Sequence, residues 1–266
     1  MSDADALPGW LPRPSVRFLM KLAMSAQIGI GGALIADQVT NGDLFRTSVY
    51  QPSPTLPVGP GDQTRRFDPN RIPTIPGGEN PRGPVILPER MEEISFTFSD
   101  TEEFGRVVLI SGPIQDGDSD RFEIALAGQV EPPRTVALHS PGGAIHEALR
   151  IGQIIRDAEM NTMIGPDAVC NSACPIMLFA GVERIISKDG WVGMHQAYLG
   201  EDTFLTSRDT AYTVQATQAK VMSFIAEMGV DPLVLSHAMA TPPEDIYYLL
   251  PEQITDYEVA TRILEE

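Results

Sequence analysis

The chain has 266 residues and a formal net charge of -17 at pH 7. This surplus of carboxylates excludes a nucleic-acid surface, because phosphate binding requires clustered Lys and Arg. The two cysteines are too few for a disulfide scaffold and lack the further Cys or His spacing of a zinc site, so we expect neither a metal nor a cofactor.

Residues 1–40 carry the charge order of a signal sequence or signal anchor. An uncharged run at 22–36 has basic residues before it and acidic residues after it. These are Arg13, Arg17 and Lys21, and then Asp37 and Asp43. The order predicts a hydrophobic, transmembrane helix that links the protein to a membrane and leaves the remaining chain in the periplasm. The run is shorter than the roughly 20 residues that span a bilayer, so a buried or amphipathic soluble helix is the alternative.

Residues 41–90 form the second predicted segment. Ten prolines lie between Gln51 and Pro88, with glycines among them. Proline removes backbone donors and fixes φ, so this composition predicts an extended, polyproline-like linker between the N-terminal segment and a folded domain.

The predicted domain comprises residues 91–266 and has α/β character. Apolar or β-branched runs at 94–98, 107–114, 135–140 and 185–195 indicate strands. Helical spacing of apolar residues predicts helices within 143–160 and 209–229. Strands that alternate with helices predict a sheet with parallel pairing.

Two turns from strand to helix are candidates for chemistry. In the first, Gly142 and Gly143 would let backbone N–H groups approach a ligand, as in an oxyanion hole, although ordinary turns also use Gly-Gly. In the second, Ser172 precedes a helix. Its hydroxyl is a candidate nucleophile, with the N–H of Ala173 as an oxyanion donor, or it is a helix cap. The residues of each turn leave both interpretations open.

A serine nucleophile needs a base, and the base needs an orienting group. The four histidines are His139, His146, His195 and His237. His195 ends a strand-like run, which is where an α/β sheet places site residues. The carboxylates that follow it in the C-terminal tract are Glu244, Asp245, Glu252 and Asp256. The pattern of residues alone does not choose among them.

Four separated motifs, taken together and in their order along the chain, indicate a protein family. They are SPGG at 140–143, NSAC at 171–174, VGMHQA at 192–197 and EDIYYLLPEQITD at 244–256. In this order they resemble the ClpP-type serine peptidases. The resemblance implies a ClpP/crotonase-like fold, a spiral of ββα units, and activity as a serine endopeptidase on peptides or unfolded segments. It also implies that homo-oligomers are possible.

The resemblance assigns roles by position. It places the nucleophile at Ser172, the base at His195 and the acid at Asp245. The oxyanion donors fall on Gly143, with Gly142 beside it, and on Ala173. Cytosolic ClpP usually has methionine and glycine where this chain has Ala173 and the cysteine after it, and it lacks the N-terminal segment. Membrane-linked or periplasmic ClpP-like proteins are therefore the better comparison.

Two further expectations depend on this resemblance. A domain outside the cytoplasm would allow a disulfide between Cys170 and Cys174 across the loop that carries Ser172, whereas in the cytoplasm they would be two buried thiols. The alternative to a peptidase is a catalytically inactive ClpP-like module that binds peptides or a membrane partner, because fold alone does not determine function.

Overall fold

The computed structural model describes residues 15–40, 56–57, 61–69, 92–198 and 206–265. The chain divides into two compact units, residues 1–52 and residues 53–266. In the first unit, helix α1 comprises Val16–Thr40. None of the helices in the described ranges is both long enough and apolar enough to cross a membrane, so the predicted transmembrane helix is not supported.

The second unit alternates strands with helices. Its strands are β1 (Thr64–Arg66), β2 (Ser95–Thr101), β3 (Gly105–Ser111), β4 (Thr135–His139), β5 (Asn161–Ile164), β6 (Val169–Asn171), β7 (Arg184–Ser187), β8 (Trp191–Met194), β9 (Asp245–Tyr248) and β10 (Arg262–Leu264). Its helices are α2 (Asp118–Ala127), α3 (Ile145–Asp157), α4 (Cys174–Phe179), α5 (Ser207–Glu227), a 3-10 turn at Pro232–Val234, α6 (Leu235–Ala240) and α7 (Pro251–Asp256).

The strands form two sheets. The larger has the order β10-β7-β5-β4-β3-β2 and is parallel except for the β2–β3 pair, and the smaller has the order β1-β9-β8-β6. From β5 to β8, successive strands belong alternately to the larger and the smaller sheet. In the units β5-β6-α4 and β7-β8-α5, the first strand joins the larger sheet and the second joins the smaller sheet. Because each unit repeats this path, β6 and β8 become parallel neighbours.

Helix α4 occupies the centre of the domain. All six of its residues are buried, and it packs against α3, α5, β5, β6 and β8. Complete burial of one large aliphatic side chain contributes about 1.5–3 kcal/mol, so Ile176, Met177 and Leu178 hold the helix firmly. The turn that precedes α4, which carries Ser172, is fixed by the same packing.

Part of the predicted linker belongs to the domain. Strand β1 pairs antiparallel with β9, with Arg66 opposite Asp245, and Leu56 is buried in a small cluster with Ile246 and Tyr248. The predicted domain start at residue 91 therefore misses this strand. The stretch 61–68 contains no proline and can form ladder hydrogen bonds, a local feature hidden by the high proline content of the surrounding segment.

Candidate active site

Ser172 occupies a tight turn between β6 and α4. Its φ is +59°, in the left-handed region that is strained for a residue with a side chain, at a cost of about 1–3 kcal/mol. Its backbone N–H donates to the carbonyl of Gly193 at 2.9 Å. Asn171 is the register partner of Gly193, so Ser172 and His195 both follow the carboxyl ends of paired parallel strands. The sheet thus brings the two residues to one edge, where α/β folds bind ligands.

The side chains of Ser172 and His195 form a short hydrogen bond. Ser172 Oγ lies 2.6 Å from His195 Nε2, and His195 Nδ1 lies 2.9 Å from the carbonyl oxygen of Pro243. A carbonyl can only accept, so Nδ1 carries the proton and Nε2 is the acceptor for the serine hydroxyl. This is the tautomer that a general base requires.

Ser172 does not cap α4. The N-cap residue is Ala173, and no side chain bonds to the first turn of the helix. The hydroxyl is instead directed to the imidazole, so the structure favours the nucleophile over the cap as the role of this serine.

His195 is buried, with 7% of its surface exposed. Burial lowers the pKa of the imidazole below its ordinary value of 6.5, and the bond from Nδ1–H to Pro243 opposes that shift to a smaller extent. The ring is therefore neutral at pH 7 and can accept a proton.

Asp245 is not placed as the resemblance implies. Its carboxylate accepts from Arg66 Nη1 at 3.1 Å, across the rung that pairs β1 with β9. Alternation along β9 puts Asp245 on the opposite face from the buried Ile246. The three other candidate carboxylates are exposed: Glu244, Glu252 and Asp256. The group that orients His195 is the backbone carbonyl of Pro243, so the structure shows a serine-histidine pair with a carbonyl as third member.

Two residues with available backbone donors line the same cleft as the nucleophile. Within the described residues, the N–H groups of Gly143 and Ala173 have no backbone acceptor, whereas Gly142 N–H donates to Ser140 Oγ at 3.1 Å. Gly143, Ala173 and Ser172 all line one cleft. The free pair is suited to bind a developing oxyanion, and Gly142 has a different part in the site.

Gly142 is pressed against the nucleophile turn. Its φ is +96°, and a Cβ at this position would lie 2.5 Å from the carbonyl oxygen of Asn171 and 2.6 Å from Ser172 Cβ. Only glycine allows this approach. The SPGG loop therefore sets how close the oxyanion donors come to Ser172.

Cys170 and Cys174 form a disulfide, with their Cα atoms 5.1 Å apart. The bond joins the middle residue of β6 to the first residue of α4 and spans the strained Ser172. Both cysteines are fully buried. This crosslink restricts the loop to conformations near the one that points the hydroxyl at His195.

The cleft in front of these groups has a volume of about 670 Å³. Ser172 and His195 are among its polar lining residues, while the walls are mainly apolar. The apolar walls come from α4, α5 and α6 and include Ile176, Phe179, Val221, Leu235 and Met239. Such a cleft accommodates an apolar side chain beside the nucleophile. In the described ranges, no cluster of three or more His, Cys, Asp or Glu residues is arranged to hold a metal ion.

The remaining histidines have other surroundings. Burial lowers the pKa of His139 to about 4, and its Nδ1 accepts from the N–H of Val169. His237 stacks on Tyr247 with ring centroids 4.7 Å apart. His146 lines the cleft but is exposed and lies 3.3 Å from Asp116. None of the three bonds to Ser172.

No protein-family model matches the sequence, and no curated protein matches it. Among solved structures, the chain is similar to a mutant of the 1510-N membrane-bound stomatin-specific protease, with 18% identity and a TM-score of 0.46, over 59% of this chain and 78% of that one. It is also similar to a mutant of ClpP1 from Listeria monocytogenes, with 20% identity and a TM-score of 0.46, over 60% and 91%. Both likenesses are to ClpP-like peptidases and concern the fold.

Replacing Gly142 should disable the site without unfolding the domain. In Gly142→Ala the added Cβ displaces the turn at Ser172, so the rate of labelling by a fluorophosphonate, which reports serine nucleophilicity, should fall by about 100-fold. Gly165→Ala is the matched control, because a Cβ there meets nothing within 4 Å. It should change the rate by no more than about threefold. Equal rates for the two variants would contradict the role assigned to Gly142.

Asp245→Asn distinguishes the two groups that could orient His195, the carbonyl of Pro243 and the carboxylate of Asp245. If the carbonyl of Pro243 orients His195, this variant should keep the labelling rate within about threefold, because it weakens only an exposed ion pair. Removal of an orienting aspartate from a true triad costs about 10⁴-fold in kcat. A loss of that size would establish Asp245 as the acid after all.

Proposed function

We propose that the protein is a serine hydrolase that cleaves peptides or unfolded protein segments through the pair Ser172 and His195. The observation that carries the proposal is the 2.6 Å contact between Ser172 Oγ and His195 Nε2, together with the bond that fixes the proton on Nδ1. A capping or packing serine would require neither feature.

The mechanism follows the positions of these atoms. His195 Nε2 takes the hydroxyl proton while Ser172 Oγ attacks the peptide carbonyl carbon. The carbonyl oxygen becomes negative and is bound by the N–H groups of Gly143 and Ala173. When the intermediate collapses, the imidazolium returns the proton to the leaving amine. A water molecule then repeats the sequence on the acyl-enzyme and releases the carboxylate product.

The carbonyl of Pro243 should stabilise the protonated form of His195 less than a carboxylate would. It orients the ring as a carboxylate would, but it carries only a partial charge and stabilises the imidazolium less. Charge-assisted hydrogen bonds are roughly twice as strong as neutral ones. We therefore expect a lower turnover than a full triad supports, with the tautomer still fixed.

The proposal includes a location outside the cytoplasm. The disulfide Cys170–Cys174 supports this, because such bonds persist in oxidising compartments and are rare in the cytosol. Both cysteines are buried, so protein from its native cells is alkylated in denaturant at lysis and should show no alkylated cysteine until it is reduced. Two alkylated thiols before reduction would contradict the proposed location.

Fluorophosphonate labelling of the full chain tests the activity itself. The wild-type protein should be labelled, and Ser172→Ala and His195→Ala should not be, because the first removes the nucleophile and the second its base. His237→Ala is the matched control. It removes a histidine that stacks on Tyr247 and should keep most of the labelling.

Circular dichroism of each variant controls for folding. If the folded wild-type protein remains unlabelled, the proposed hydrolase is refuted.

A further inference from the structure

Phe67 packs directly on the proposed catalytic base. The centroids of the Phe67 and His195 rings are 4.6 Å apart, with the ring planes inclined at 56°. Phe67 also lines the cleft that contains Ser172. This residue lies more than 100 positions before Ser172, in the part of the chain predicted from sequence as a linker.

Backbone hydrogen bonds hold Phe67 in place. Its N–H donates to the carbonyl of Glu244 at 3.0 Å, and the N–H of Tyr248 donates to the carbonyl of Gln63 at 3.0 Å. Strand β1 is thus paired with β9 at both of its ends. Glu244 directly follows Pro243, whose carbonyl binds His195 Nδ1. The segment formed by β1 and Phe67 therefore supports the turn that orients the imidazole and also packs an aromatic ring against it.

We propose that Phe67 is a positioning residue for His195, which confines the imidazole between the Pro243 carbonyl and Ser172 and keeps water away from one of its faces. This inference rests on the proposed function and adds to it a part of the active site contributed by a residue before position 91, the predicted start of the domain. In this role Phe67 acts through the histidine, whose ring it contacts.

The groups around His195 explain why an apolar cover matters. Tyr198 is a second aromatic neighbour of the ring, with centroids 5.9 Å apart. The nearby charges on β1 and β9, Arg66 and Asp245, are paired with each other, and Glu244 is exposed. Burial is the largest cause of the lowered pKa of His195, and no charged group contributes to it. Loss of the Phe67 ring should therefore raise that pKa toward 6.5.

The test uses the full chain with three substitutions. Phe67→Ala removes the cover, Phe67→Leu restores an apolar cover, and Trp191→Ala is the matched control. Trp191 packs in the same small cluster as Phe67, with its ring 5.7 Å from that of Tyr248, so it reports general loosening of the cluster.

Two readouts are measured against pH. Proton NMR follows the His195 imidazole, identified by the resonance that is missing in His195→Ala, and fluorophosphonate labelling follows the reactivity of Ser172. The labelling rate of the wild-type protein should fall in acid only below pH 6.5, because the base loses function when it is protonated. Phe67→Ala should raise the pKa of His195, move this acid limb upward with it and lower the rate at pH 7 by about tenfold.

The variants distinguish positioning from simple destabilisation. Phe67→Leu should recover most of the rate and the wild-type titration, while Trp191→Ala should leave the pKa of His195 in place. An unchanged His195 titration in folded Phe67→Ala, or an equal shift in Trp191→Ala, would overturn the inference. The NMR titration does not depend on activity, so an unlabelled wild-type protein would refute the proposed function separately.

Discussion

The parallel pairing of β6 with β8 is the contact on which the site depends. Its register sets Asn171 opposite Gly193, so the residues that follow, Ser172 and His195, leave the sheet side by side. The bond from Ser172 N–H to the Gly193 carbonyl extends this pairing by one residue into the turn. A slip of the register by one residue would displace Ser172 by about 3.3 Å relative to His195 and break the contact between the hydroxyl and the imidazole.

Around this pairing, separate constraints act on the same few atoms. The strained φ of Ser172 costs about 1–3 kcal/mol, which packing of α4, the Cys170–Cys174 disulfide and the close approach of Gly142 together offset. Cys170 and Cys174 flank the turn itself, but Gly142 and the helices α3 and α5 that pack against α4 lie on other chain segments. The geometry of the nucleophile is therefore a property of the folded domain and not of the NSAC motif alone.

Local patterns were enough to predict much of this arrangement. The strands predicted at 94–98, 107–114 and 135–140 correspond to β2, β3 and β4, and the two predicted helices correspond to α3 and α5. The run at 185–195 is an instructive exception, because it forms two strands, β7 and β8, that enter different sheets. Apolar character indicates a strand, but the sheet that a strand joins depends on long-range pairing.

The remaining differences between the predicted and the observed site come from contacts that side-chain motifs do not indicate. The group that orients His195 is a backbone carbonyl, which every residue possesses, so no side-chain pattern could indicate Pro243. Asp245 fits the position of the acid in the EDIYY motif, yet its carboxylate reaches Arg66 because β1 occupies the edge of β9. The strand that pairs with Asp245 also brings Phe67 onto the imidazole. The segment that contains β1 and Phe67 lies outside the four motifs, yet it pairs with Asp245 and packs against His195. The spacing of the motifs within 140–256 contains no information about this segment.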